Sequence, residues 1–186
     1  MKILIVFFWT FLFTLTAKAE LKIEPVYGVE RTLRQYPEPA RYRTNTFLGM
    51  RAIYGSPEIS GELEVNQSIF QESFPDQDIE VTYTTQKALL GMRSYPIKSK
   101  FVGFYIRGGI RAQIQKRDIT EEGENRLEED PLSIDPYAGT GLTLAFANNF
   151  ALNAGATLVY NKNAADEAEK FDTRYTFAVT VKAGNR

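Results

Sequence analysis

The stretch Phe101-Val102-Gly103-Phe104-Tyr105-Ile106-Arg107-Gly108-Gly109-Ile110-Arg111-Ala112-Gln113-Ile114-Gln115 alternates from end to end. Even positions carry Val102, Phe104, Ile106, Ile110, Ala112 and Ile114, whereas odd positions carry Tyr105, Arg107, Gly109, Arg111 and Gln113. Successive side chains of a strand point to opposite faces, so a period of two predicts one β-strand with an apolar and a polar face. Fifteen residues is far longer than the usual strand of about five or six.

The same period extends in both directions from this segment. Strands are predicted over about 21–32, 42–54, 59–70, 79–94, 134–146, 149–161 and 171–183. In 79–94 the pattern is broken: Ile79, Val81 and Tyr83 are odd, but Leu90 and Met92 are even. Either a bulge near Thr84–Lys87 shifts the register, or the first part lies outside the apolar belt. The connections alternate in length. Gly55–Glu58, Tyr95–Lys100 and Ala147–Asn148 are short, while Leu33–Arg41, Gln71–Gln77, Lys116–Pro131 and Lys162–Lys170 are longer. Eight such strands predict an all-β, antiparallel up-and-down barrel.

Composition removes several chemistries. The 186 residues hold 22 basic and 23 acidic side chains, no His and no Cys. Zinc, haem and iron–sulfur sites lose their usual ligands, and nucleophiles activated by His are excluded. The near-neutral charge gives no footprint for nucleic acid. No cofactor and no enzymatic activity are expected. At the N-terminus Lys2 precedes an apolar run, Ile3–Leu15, followed by Ala17-Lys18-Ala19. That order predicts a signal peptide over 1–19 and a barrel domain over 20–186.

Three features turn the apolar face outward, toward lipid. Gly28, Gly49, Gly91, Gly103, Gly109, Gly139, Gly141 and Gly155 share parity with the polar residues, as a crowded lumen requires. Aromatics such as Tyr54, Phe146, Phe150 and Tyr160 stand near the ends of the apolar face. Short turns alternate with long loops, as in outer-membrane barrels. The other assignment is a soluble, lipocalin-like periplasmic carrier with the apolar face inside.

Leu48-Gly49-Met50-Arg51, Leu90-Gly91-Met92-Arg93, Phe104-Tyr105-Ile106-Arg107-Gly108-Gly109 and Pro136-Tyr137-Ala138-Gly139-Thr140-Gly141 resemble the strands of small eight-stranded outer-membrane β-barrel proteins of the OmpA/OmpX type. The resemblance covers about 20–186. It implies an eight-stranded transmembrane barrel in the outer membrane of a Gram-negative-type envelope. The partners it implies are membrane lipid, lipopolysaccharide and the barrel assembly machinery. The chain departs from the family's aromatic ending, since Ala183-Gly184-Asn185-Arg186 follows the last alternating residues.

On this reading the lumen holds a charge network of Glu24, Glu30, Arg43, Arg51, Glu62, Glu64, Lys87, Arg93, Arg107, Arg111, Arg174 and Lys182, joined by Lys22 and Asp135. Bases exceed acids in that set, and the remaining acids are expected in the external loops. Charges so enclosed must be paired. An eight-stranded interior is just wide enough for side chains, so a plugged lumen is expected, with a narrow gated pore as the alternative. The expected role is envelope integrity or surface contact by a monomer. The loop Asp118–Glu129 partly matches a calcium loop, with Asp first, Gly sixth and Glu twelfth. Thr120, Glu122 and Arg126 are poor ligands at the intervening positions, so a solvated acidic loop is expected instead.

Overall fold

The computed structural model describes residues 19–34, 41–56, 58–75, 79–121, 123–161 and 170–183. The predicted signal peptide falls outside them, apart from Ala19. Among the described residues, alternation becomes nine strands: β1 Glu20–Arg34, β2 Arg41–Gly55, β3 Ile59–Phe74, β4 Ile79–Lys98, β5 Val102–Glu121, β6 Glu124–Glu129, β7 Ser133–Ala145, β8 Phe150–Tyr160 and β9 Phe171–Ala183. The hydrogen-bonded order β4-β3-β2-β1-β9-β8-β7-β5 closes on itself through β4–β5. Each pair in this ring of eight is antiparallel. β6 stands outside the ring, and among the described residues it is paired to β5 alone.

Closure leaves the ring without an edge, the condition for strands to cross a bilayer. What faces outward is apolar: Leu48 is 68% exposed, Leu90 60% and Phe177 59%. What faces inward is charged: Arg51 and Arg111 are 1% exposed and Glu64 is fully buried. This inverts a water-soluble protein. A continuous outer belt of Leu, Val, Ile and Phe is unstable in water and stable against acyl chains. The soluble carrier is therefore overturned, because it needs the apolar face inside. Aromatic pairs stand at both ends of the belt. Phe146 and Phe150 lie 6.2 Å apart at the short-turn end, and Tyr160 and Phe171 lie 5.6 Å apart at the long-loop end.

Glycines on the inner face make room for rings. A Cβ at Gly91 would collide with the Tyr137 hydroxyl, and one at Gly141 would collide with the Tyr105 ring. The strands close into a narrow cylinder because these positions lack side chains where opposing aromatics reach in.

β4 and β5 correct the expectations for their part of the chain. β4 pairs with β5 without interruption from Ile79 to Ser94, and the register shifts only between Ser94 and Ile97. There is no bulge near Thr84–Lys87. Ile79, Val81, Tyr83 and Leu89 all face inward along one unbroken parity. The apolar residues at the start of β4 change the chemistry of the inner face, not its register. They pack with Ile119, Phe70 and Phe74 where the strands rise past the belt.

The segment Lys116–Pro131 is also not a loop. β5 continues to Glu121, turns at Gly123 with a positive φ of 84°, and returns as β6. Asp118 lies opposite Leu127 and Thr120 opposite Asn125. A calcium loop wraps its carboxylates around an ion, whereas these residues point alternately to two faces of a hairpin. The hairpin is held by Arg117, which reaches Asp130 at 2.6 Å and Glu128 at 3.4 Å.

Candidate functional site: charges joined across the lumen

Among the described residues, the inward positions at the level of the belt hold six buried carboxylates, Glu24, Glu30, Glu62, Glu64, Asp135 and Asp172. Against them stand six buried cations, Arg51, Lys87, Arg93, Arg107, Arg111 and Arg174. The expected basic excess is thus corrected. Asp172 adds an acid, and the cations that made up the excess sit at the rims.

The first half of the network centres on Glu64 of β3. Arg51 approaches it at 2.6 Å, Arg174 at 2.9 Å and Arg107 at 3.3 Å. Arg51 also holds Glu24 at 2.8 Å, and Arg93 spans Glu62 at 3.1 Å and Glu24 at 3.5 Å. Neutral donors complete the carboxylates. Thr180 and Asn153 donate to Glu24 at 2.7 and 3.0 Å, and the Tyr137 hydroxyl donates to Glu62 at 2.9 Å. The guanidiniums also lie over rings, Arg93 on Tyr105 at 4.3 Å and Arg174 on Phe47 at 4.4 Å. Planar forks that bind carboxylates and stack on aromatics explain why Arg, not Lys, dominates here.

The second half centres on Arg111 of β5. It meets Glu30 at 3.2 Å, Asp172 at 3.2 Å and Asp135 at 3.0 Å. Glu30 also takes the Lys87 ammonium. Arg174 ties the halves together, 3.8 Å from Glu30 and 2.9 Å from Glu64. β1 and β5 occupy opposite positions in the ring of eight, so the Arg111–Glu30 pair crosses the full lumen. A charge in a low-dielectric wall is stabilised only by close opposite charge and hydrogen bonds, and each of these has both.

Two of the residues expected in this network lie elsewhere. Arg43 is at the long-loop end, where its side chain is 41% exposed and reaches Glu72 at 2.6 Å beside Arg41. Lys182 shares the inward parity of β9 but is exposed at the short-turn end, opposite Lys22. Lys22 itself lies 3.8 Å from Glu20. Asp172, Asn153, Thr180 and Tyr137 belong to the network and were not singled out from sequence. Extending the parity of Arg174 by two residues would have found Asp172. Among the described residues no group of His, Cys, Asp and Glu is placed to hold a metal.

A family model described as a protein of unknown function, DUF481, matches residues 83–182. The chain belongs to the DUF481 family. That match begins within β4 and covers most of the network's Arg residues. No curated protein matches the sequence. Solved structures share the architecture. OprG from Pseudomonas aeruginosa is 11% identical with a TM-score of 0.61, over 91% of this chain and 97% of that one. Ail, the attachment invasion locus protein of Yersinia pestis, is 11% identical with a TM-score of 0.60, over 89% of this chain and 99% of that one. Neisserial surface protein A is 14% identical with a TM-score of 0.56, over 89% and 99%. At such identities the shared property is the fold, that of small outer-membrane β-barrels of the OmpA/OmpX type.

Proposed function

We propose that this DUF481 barrel is a monomeric, non-enzymatic outer-membrane protein. Its lumen is closed by its own charges, and its long-loop end makes contacts beyond the membrane. The observation that carries the reading is the Arg111–Glu30 pair at 3.2 Å between strands on opposite sides of the ring. A narrow lumen crossed by ion pairs leaves little room for a substrate or a solute to pass. Residues 1–19 direct export, and the barrel assembly machinery inserts the chain among lipid and lipopolysaccharide.

The surface role draws support from the length of the strands. β4 and β5 hold 20 residues each, about 66 Å along the strand and about 50 Å along the membrane normal at the tilt of barrel strands, against a hydrocarbon core of about 30 Å. The excess stands at the long-loop end as a folded arm. Ail has also been solved with sucrose octasulfate, a heparin analogue. Here the β5–β6 arm is rich in acids, Asp118, Glu121, Glu124, Glu128, Glu129 and Asp130, so the partners favoured here are cationic.

Fractionation with surface proteolysis tests this. The chain is expected in the outer-membrane fraction with heat-modifiable gel mobility. Trypsin added to intact cells is expected to cut within 116–129, with the barrel core surviving. Recovery in the soluble periplasmic fraction would contradict the membrane placement. Cleavage only after the cells are opened would place the arm on the inner side.

A further inference from the structure

The inner face at the short-turn end carries lysines that the lumen network does not use. Lys22 of β1 and Lys182 of β9 lie directly opposite each other, and both have the inward parity of their strands. Lys98 of β4 lies opposite Gly103 of β5. Gly103 is buried on the inner face, and direct partners in a ladder share a face. Beyond the register shift, Lys98 therefore also turns to the mouth of the lumen.

The Tyr95 ring is the floor of this mouth. It stands 5.9 Å from the Tyr105 ring and occupies the space that Gly103 leaves, where a Cβ would lie 3.3 Å from it. Arg93 donates to the Tyr95 hydroxyl at 3.4 Å, so the ring separates the balanced network from the lysines. The ammoniums of Lys22 and Lys98 each lie 5.8 Å from the centre of this one ring.

The charge of the mouth is not balanced by the protein. Lys22 is only 8% exposed. Among the described residues its ion pair is with Glu20 at 3.8 Å, longer than a hydrogen bond. No ion pair joins Lys98 or Lys182 among the described residues. Like charges directly opposite each other destabilise a ladder, and a buried cation needs close opposite charge. An anion between the ammoniums meets both needs. The lumen pairs its carboxylates mostly with planar Arg forks, whereas the mouth offers only Lys, a compact point charge suited to phosphate oxygens.

We propose that the short-turn mouth of the lumen binds a soluble, multiply charged phosphate compound, held by Lys22, Lys98 and Lys182 above the Tyr95 ring. Inward parity turns these ammoniums toward the barrel axis and away from the lipid headgroups around the rim. The outer-membrane reading decides only the side from which the ligand arrives, which for short turns is the periplasm.

The test uses the full chain purified in non-ionic detergent, with inorganic tripolyphosphate as the probe. Calorimetry is expected to show saturable binding, about tenfold weaker for K22Q/K182Q and unchanged for K100Q/K116Q. Lys100 leans on Phe101 in the β4–β5 turn and Lys116 lies in the arm at the other end. Acetylation of the unmodified chain, read by mass spectrometry, is expected to slow at Lys22, Lys98 and Lys182 when tripolyphosphate is added, and not at Lys100 or Lys116. Absence of saturable binding overturns the proposal, as does equal protection of all five lysines. Full binding by a K22Q/K182Q barrel that keeps its heat-modifiable mobility also overturns it. If that variant loses its fold, protection on the unmodified chain decides alone. Protection of the three lysines by phosphatidylglycerol in mixed micelles, with none by tripolyphosphate, gives the site to a lipid headgroup and overturns the soluble ligand. Tripolyphosphate binding by a chain recovered in the soluble fraction of cells would retain the site and remove the outer-membrane setting, and the converse result would do the opposite.

Discussion

The lumen at belt level and the arm above it are built from the same strands on the same parity, yet their faces have opposite chemistry. At belt level Arg93, Lys87 and Arg107 point inward while Leu90, Met92 and Ile106 point outward. In the arm Ile79, Val81, Tyr83 and Ile119 point inward while Glu80, Lys116 and Asp118 point outward. The backbone does not change between them, and the medium outside does. Lipid around the belt forces the apolar residues out and leaves the charges to satisfy one another inside. Water around the arm restores the ordinary rule, and a small apolar core forms within it.

Substitutions on the two sides sharpen this contrast. The largest effect is expected at Glu64. E64A leaves the guanidiniums of Arg51, Arg107 and Arg174 without their shared carboxylate. It should cost about 3–5 kcal/mol of barrel stability, read from urea unfolding in lipid vesicles. An unchanged midpoint would mean that the network contributes nothing.

Next comes a charge on the belt's outer face. Leu90 is 60% exposed outward, and L90K should cost about 2–4 kcal/mol in vesicles by the same measurement. I119A comes third, at about 2 kcal/mol, and its effect should be local. Tryptic cleavage of the 116–129 hairpin should accelerate while the barrel's heat-modifiable mobility persists. Global unfolding of this variant would show that the arm and barrel form one cooperative unit. The smallest effect is expected for T82K, on the same outer parity as Leu90 but in the arm, where the change should stay within about 0.5 kcal/mol. A cost equal to that of L90K would erase the boundary between the two regions.

The belt was legible in the sequence because lipid imposes a strict period of two. Phe101–Gln115 displays it, and Arg107 and Arg111 follow directly as inward residues. Glycine parity was legible for a related reason, since Tyr105 and Tyr137 need gaps opposite them. The arm was harder to read because the same period carries the reversed sign there. Ile79, Val81 and Tyr83 therefore looked like a slipped register, and Asp118–Glu129 looked like an acidic loop. In the hairpin only Ile119 and Leu127 are large and apolar, and they fall on opposite faces, so no apolar stripe marks it. The individual ion pairs were not legible at all. Which of six carboxylates meets Arg111 depends on the vertical offset of strands far apart in the chain, and parity says nothing about height.

On the reading proposed above, the paired charges close the lumen. Recordings of the purified full chain in planar bilayers test it most directly. The unmodified barrel is expected to leave the membrane silent. R111A, which removes the cation joining Glu30, Asp135 and Asp172, should introduce discrete openings. Reproducible openings in the unmodified protein, altered in amplitude by R111A, would contradict it and make this barrel a pore.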